Sequence, residues 1–269
     1  AGQGINFLAL IVIIRHFTPF QFGLLSTAIA IMGLASQFSD LGISTGFVRF
    51  ASVYLKEDPR KADILFKITL LLKASIGLAV MILGILLARP LAVYVLKSEE
   101  LTRLIQLAFI GSFGATLWSY LQSILQVREW FIKYAWIGIF NNSLKLIGTL
   151  LLIYFDVLAE INVMWLIALV PFAGFILDGL LVPREFLKSN GNRREQKEIL
   201  SELFHFSKWI TLATLCTMLL MRIDVLMLQG FSTASEVGIY SSASQLAMLF
   251  PLVTGALSIS LLPKISSYK

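Results

Sequence analysis

Long apolar runs separated by short polar stretches occupy almost the whole chain, and their lengths set the first expectation. A helix needs about 20 apolar residues to cross roughly 30 Å of hydrocarbon. Eight runs approach or reach that length, at about 1–17, 24–47, 64–88, 104–125, 134–155, 161–183, 205–229 and 237–262. The first stops at Arg15-His-Phe-Thr-Pro19, and Pro19 with Gly23 makes the turn into the second. The second is rich in small residues (Ser26, Ala28, Ala30, Gly33, Ala35, Ser36), which allow membrane helices to pack closely. The stretch Lys56-Glu-Asp-Pro-Arg-Lys61 reads as a solvated connection, and Arg184 to Phe204 as a longer polar linker. Pro171 and Gly174 are expected to break the sixth run.

A repeated phrase orders these runs. Glu236-Val-Gly-Ile-Tyr-Ser-Ser-Ala243 matches Gln21-Phe-Gly-Leu-Leu-Ser-Thr-Ala28 in its glycine, a serine and the alanine, and in polarity elsewhere, at an offset of 215 residues. Each copy precedes an apolar run. If the seventh run repeats the first, the chain crosses six times from the start of one to the start of the other, so both enter the membrane from the same side. That is a parallel repeat about an axis along the membrane normal, a pattern of membrane transporters. The expectation is a first six-helix lobe at 1–183, a linker at 184–204, and the first hairpin of an incomplete second lobe at 205–269. About 160 residues of that lobe would then lie beyond this chain. The start at Ala1, already inside an apolar run, points to a missing beginning as well. Residues 236–243 are expected to shape a turn and a closely packed helix rather than to touch a substrate.

Composition agrees with a membrane protein: 57% of residues are hydrophobic and 14% charged, against roughly a quarter charged in soluble domains. The net charge of +6 is spread between apolar runs and forms no basic stripe of the kind that binds nucleic acid. Fifteen lysines and arginines fall on the side of the 2–3 connection and the 6–7 linker, against five on the other, which places the linker in the cytoplasm. Cys216 is the single cysteine, and His16 and His205 are far apart, so neither a disulfide nor a cysteine metal site is expected. No catalytic constellation, cofactor motif or glycine-rich phosphate loop is visible, and an enzyme is not expected.

Polar residues inside the runs are costly and therefore functional candidates. Asn141, Lys145 and Thr149 recur every four residues on one helix face, and Lys145 is near mid-span. It either lines a polar cavity or pairs with an acid such as Asp178 or Asp40. Lys73 is nearer a span end, where snorkelling competes with a cavity role. Arg49 reads as a topology anchor. Thr116, Ser119, Ser123 and Gln126 give the fourth span a polar side, which suits either substrate contact or hydrogen bonding between helices. Asp40 could cap a local break before Leu41-Gly42 or couple an ion. Arg222 and Asp224, two apart, point about 200° from each other on a helix, so at most one is expected to face a given cavity.

Taken together, Thr18-Pro-Phe-Gln-Phe-Gly23, Asp40-Leu-Gly42 with Arg49, Asp224, Glu236-Val-Gly-Ile-Tyr240 with Ala243, and Leu262-Pro263 resemble the polysaccharide biosynthesis (Wzx-like) flippases of the multidrug/oligosaccharidyl-lipid/polysaccharide exporter superfamily. The resemblance implies an all-α, MATE-like fold with helices in two lobes. It implies export of a lipid-linked oligosaccharide on a polyprenyl pyrophosphate across the cytoplasmic membrane, in company with glycosyltransferases and a polysaccharide polymerase. On that reading Lys145, Lys73 and Arg222 would attract the pyrophosphate, and Asn141, Thr149, Ser119, Ser123 and Gln126 would meet sugar hydroxyls. Asp40, Asp178 and Asp224 stand as ion-coupling candidates. A drug or cation exporter of the same superfamily and a non-transporting membrane scaffold remain the alternatives.

Overall fold

The computed structural model describes residues 2–182 and 192–247. Every regular element among them is helical: α1 (Gly2–His16), α2 (Pro19–Asp40), α3 (Ile43–Glu57), α4 (Pro59–Pro90) with a π-helical end at Leu91–Val95, α5 (Leu101–Val127), α6 (Phe131–Tyr154), α7 (Glu160–Leu181), α8 (Arg193–Phe231) and α9 (Ala234–Ala247). Five helices are long and apolar enough to span a membrane, namely α2, α4 with its π end, α5, α6 and α7. The bent α8 makes a sixth if its two arms are one span, and α1 is a shorter apolar helix. The first seven expected spans fall on helices, and of the eighth only the start, α9, lies within the described residues. The stretches 183–191 and 248–269, with Arg184, Pro251 and Leu262-Pro263, lie outside the described residues.

Two expected boundaries differ from the structure, and the expected break at Pro171 and Gly174 is absent, since α7 runs from Glu160 to Leu181 with Pro171 inside it. The second run divides into α2 and α3, because Leu41 (φ 45°) and Gly42 (φ 65°) adopt left-handed conformations that a continuous helix does not allow. Glycine makes that conformation inexpensive at 42. Helix α3 then continues to Glu57, so the supposed solvated connection is reduced to Asp58, whose carboxylate caps α4 by accepting from Lys61 N at 3.2 Å, ahead of Pro59 at the first helical position. The second half of the polar linker is the start of α8. Asn192 and Glu195 form a capping box there, and Ile199 and Leu203, four residues apart, are buried in the core beside Phe47 and Phe66.

Helix α5 is central, packed by α7, α4 and α2, with α1 against α6 and α9 against α2. Outside this bundle the α4 surface is apolar and exposed at Leu71, Leu83, Leu86 and Leu87, as a lipid-facing surface requires.

The repeat is visible as geometry. Thr18 Oγ accepts from Gln21 N at 3.3 Å, and Thr233 Oγ, 215 residues on, accepts from Glu236 N at 3.4 Å. Thr27 donates to Gly23 O at 2.9 Å, and Ser242 donates to Gly238 O at 2.8 Å. The two helix starts also meet reciprocally. A Cβ on Gly23 would stand 1.7 Å from Ala234 O, and a Cβ on Gly238 would stand 1.8 Å from Pro19 O, and these four positions are again two pairs at the same offset. Neither crossing tolerates a side chain, so the glycines retained in both copies of the repeated phrase are the ones that let α2 and α9 touch backbone to backbone.

Candidate functional site

Two of the polar centres within the bundle are built around a lysine. The first is at the α2–α3 break. Lys73 of α4 is 1% exposed, and its Nζ is 2.7 Å from Asp40 Oδ1, 2.6 Å from Ser44 Oγ and 2.8 Å from Ser119 Oγ. Three acceptors meet the three donors of the ammonium, which leaves it nothing to offer a ligand. Asp40 also accepts from Ser44 Oγ at 2.5 Å. Helix α8 donates to the backbone of the break: Thr211 Oγ to Leu41 O at 2.5 Å, and Ser207 Oγ at 3.4 Å to Gly42 O, which also accepts from Gly46 N at 3.2 Å. This seam continues beyond the break. Arg49 stacks on the Phe206 ring at 4.4 Å, and Tyr54 donates to Glu202 Oε2 at 2.6 Å. Burial, together with the Glu202 carboxylate, pushes the Tyr54 hydroxyl up to about 12.

The second centre is a cavity of about 310 Å³ between α1, α2, α6, α8 and α9. Its wall includes equivalent positions of the two repeats, Leu25 with Tyr240, Ser26 with Ser241, and Ile29 with Ser244, so it lies where the repeats face each other. Lys145 reaches it from α6 and donates to Asn6 Oδ1 at 2.8 Å. That is a neutral partner, and Lys145 has no ion pair among the described residues. Arg222 lines the same wall, also without an ion pair among the described residues. Asp224 lines it too, held by Tyr240 OH and by Val225 N at 2.8 Å.

Both Arg222 and Asp224 therefore face one cavity, contrary to the expectation from an ideal helix. Helix α8 bends by 50° between Thr217 and Arg222, so both residues stand on its second arm, and the cavity is wide enough to take both side chains. The repeated phrase does more than pack, since Tyr240 and Ser241, with Ser244 just beyond the phrase, line the cavity while Gly238 serves the crossing. Of the expected face on α6, Lys145 alone opens to the cavity. Thr149 is buried and donates to Lys145 O at 2.9 Å, and Asn141 is buried toward Gly174 of α7. Ser119 belongs to the Lys73 centre, Ser123 donates to Ser119 O at 2.8 Å, and Gln126 is exposed at the end of α5. Asp178 is buried elsewhere, accepting from Gln122 Nε2 at 2.7 Å. Asn6, Ser26, Tyr240, Ser241, Ser244 and Gln245 were the polar wall residues missed as site candidates. For Asn6 the available signal was an amide deep in an apolar run; for the others it was the polar side of a phrase assigned to packing.

A larger cavity of about 720 Å³ lies on the other side of α2 and α8. Lys97 is its only charged residue, and it offers no comparable polar chemistry.

Comparisons with known proteins agree with this architecture. The model of the family described as "Polysaccharide biosynthesis protein" matches residues 1–269. No curated protein matches the chain significantly. Among solved structures, the chain is similar to one described as the inward-facing conformation of a multidrug resistance MATE family transporter of the MOP superfamily, with a TM-score of 0.72 and 16% identity over 93% of this chain. The chain spans 59% of the length of that transporter. At this identity the likeness concerns the fold.

Proposed function

We propose, from the premise that the chain belongs to the polysaccharide biosynthesis protein family, that it forms the first lobe and first hairpin of an exporter that moves a lipid-linked oligosaccharide across the cytoplasmic membrane. The observation that carries this reading is Lys145: an ammonium with a single neutral partner, opening with Arg222 onto a cavity between two repeats. A half-buried cation at membrane depth without an ion pair is costly, and an anionic ligand that brings the missing charge lowers that cost.

A pyrophosphate fits this requirement, because its oxygens accept charge-assisted hydrogen bonds from both an ammonium and a guanidinium. Asn6, Ser241, Ser244 and Gln245 supply neutral donors and acceptors for sugar hydroxyls. The polyprenyl tail stays in the bilayer beside the apolar outer surface. Rocking of the lobes about the close α2–α9 crossing would expose the head group first to the cytoplasm and then to the other face, with no bond made or broken. Glycosyltransferases would supply the substrate and a polymerase would consume it.

The test uses the full-length exporter in cells that depend on it for surface polysaccharide. Lys145→Ala should abolish surface polysaccharide at normal expression, and Lys145→Arg should keep a measurable part of it; unchanged export in Lys145→Ala would sink the proposal. A drug or cation exporter would instead show ion-dependent dye efflux with surface glycans unaffected. A scaffold would leave a cysteine placed at 145 unlabelled from either side of the membrane.

A further inference from the structure

Three acids lie within the apolar segments, and their surroundings separate them. Asp40 is bound to Lys73, and Asp224 is exposed at the cavity and bonded to Tyr240. Asp178 is 0% exposed and has no ion pair among the described residues. Its Oδ2 accepts from Gln122 Nε2 at 2.7 Å, while its Oδ1 is buried without a hydrogen bond. Three further buried polar atoms nearby are also without partners: Trp118 Nε1, Asn141 Nδ2 and Asn141 Oδ1. They converge on one place. A Cβ on Gly174, one turn before Asp178, would stand 2.3 Å from Asn141 Nδ2 and 2.8 Å from Trp118 Nε1, and Gln122 is one turn after Trp118. Unpaired buried donors and acceptors are rare enough that a cluster of four needs a cause.

The helices packed against α7 bring no charge to this place. Between Arg103 and Arg128, α5 carries one titratable side chain, Tyr120, which donates to Phe66 O at 2.8 Å. On α6, Lys145 is turned to Asn6, and Lys133 and Tyr134 are near the helix start. On α2, Asp40 is taken by Lys73, and α7 itself carries only Glu160 at its far end.

We propose that Asp178 is a proton-exchanging carboxyl group of the bundle interior, taking a proton on Oδ1 and giving it up as α5, α6 and α7 shift. Hydronium delivers the proton: an O–H bond forms at Oδ1 as one breaks in hydronium, water departs, and the reverse step restores the carboxylate. Each state has company. The anion is met by the N–H of Gln122, with the unused indole N–H of Trp118 in the same cluster, and the neutral acid gains a donor where Asn141 Oδ1 is an unused acceptor. A metal cation fits less well, because a single carboxylate is present and the indole and the bonded amide turn hydrogens toward it. The coupling of this proton to transport rests on the function proposed above; its presence on Asp178 does not.

The experiment is infrared difference spectroscopy of the purified full-length protein in lipid nanodiscs, stepped between acid and alkaline buffer. A protonated-carboxyl C=O band should appear at acid pH, vanish in Asp178→Asn, and shift in Gln122→Ala, which keeps the acid but removes its hydrogen bond. In proteoliposomes, Asp178→Asn should lose at least tenfold of the transport response to an imposed pH gradient. A band that survives Asp178→Asn, or one moved by sodium at constant pH, would overturn the proposal. If Asp178→Asn fails to fold, the Gln122→Ala shift decides: an unshifted band counts against Asp178. If the band behaves as expected but no glycan is exported, the proton site stands and the substrate assignment falls.

Discussion

Lys73 and Lys145 are the same residue type placed inside apolar helices of one bundle, yet their surroundings give them opposite roles. Lys73 has a carboxylate and two hydroxyls at 2.6 to 2.8 Å, one for each donor. Lys145 has one amide oxygen and a cavity. The first ammonium ties α4 to the α2–α3 break and to α5; the second holds unspent hydrogen-bonding capacity on the side where the repeats face each other. Charge at membrane depth therefore marks two different things. Its partners decide which of the two applies.

The largest expected effect breaks the first centre. Lys73→Ala or Asp40→Ala alone leaves an uncompensated buried charge and should destabilise the purified protein by about 3–5 kcal/mol. Replacing both together by apolar residues of similar size, Lys73→Met with Asp40→Leu, should restore most of that loss, since neither charge is then left alone. Lys145→Ala should remain within about 1 kcal/mol of the native protein, because it removes one hydrogen bond to a neutral partner. Thermal unfolding in detergent checks all four variants. Equal losses for Lys73→Ala and Lys145→Ala would erase the distinction between the two centres.

Much of the fold was legible because apolar length and the 215-residue repeat are properties of sequence. The α2–α9 crossing follows from glycines that stand in both copies of the repeated phrase, even though the closeness of Gly23 to Ala234 could not be foreseen. The site was legible only by residue type. Helical spacing put Asn141, Lys145 and Thr149 on one face, but a face at 100° per residue is broad enough for α7 to cover Asn141 while Lys145 reaches the cavity between α1 and α8. The Lys73–Asp40 pair spans 33 positions and depends on a break whose left-handed Leu41 gives little sign of itself in the sequence. Arg222 with Asp224 failed for a related reason: both stand on the arm of α8 after its bend, and the angle between two helix positions does not say how wide a face one cavity takes in.

A smaller effect sharpens the second centre. Asp224 offsets part of the positive charge that Lys145 and Arg222 bring to the cavity. Asp224→Asn should therefore tighten binding of inorganic pyrophosphate to the full-length exporter by about threefold, or ~0.7 kcal/mol, measured by calorimetry. A site built for cations would respond in the other direction, with weaker retention of a cationic dye.

The smallest effect lies on the seam that extends from the Lys73 centre. Tyr54→Phe removes the hydrogen bond to Glu202, and at a partly exposed site the loss should be below about 1 kcal/mol. Its sign with pH follows from the direction of the shift. Folding favours the neutral hydroxyl, raising it from 10.0 to about 12, so the stabilisation is complete below the unfolded value and is lost as pH rises through the folded one. The difference in unfolding temperature between the native protein and Tyr54→Phe should be constant up to about 10 and vanish by about 12. A difference that persists at higher pH would mean that the hydroxyl acts otherwise than through its proton on Glu202, and no difference at any pH would leave the ring, packed 6.3 Å from Phe50, as the stabilising part.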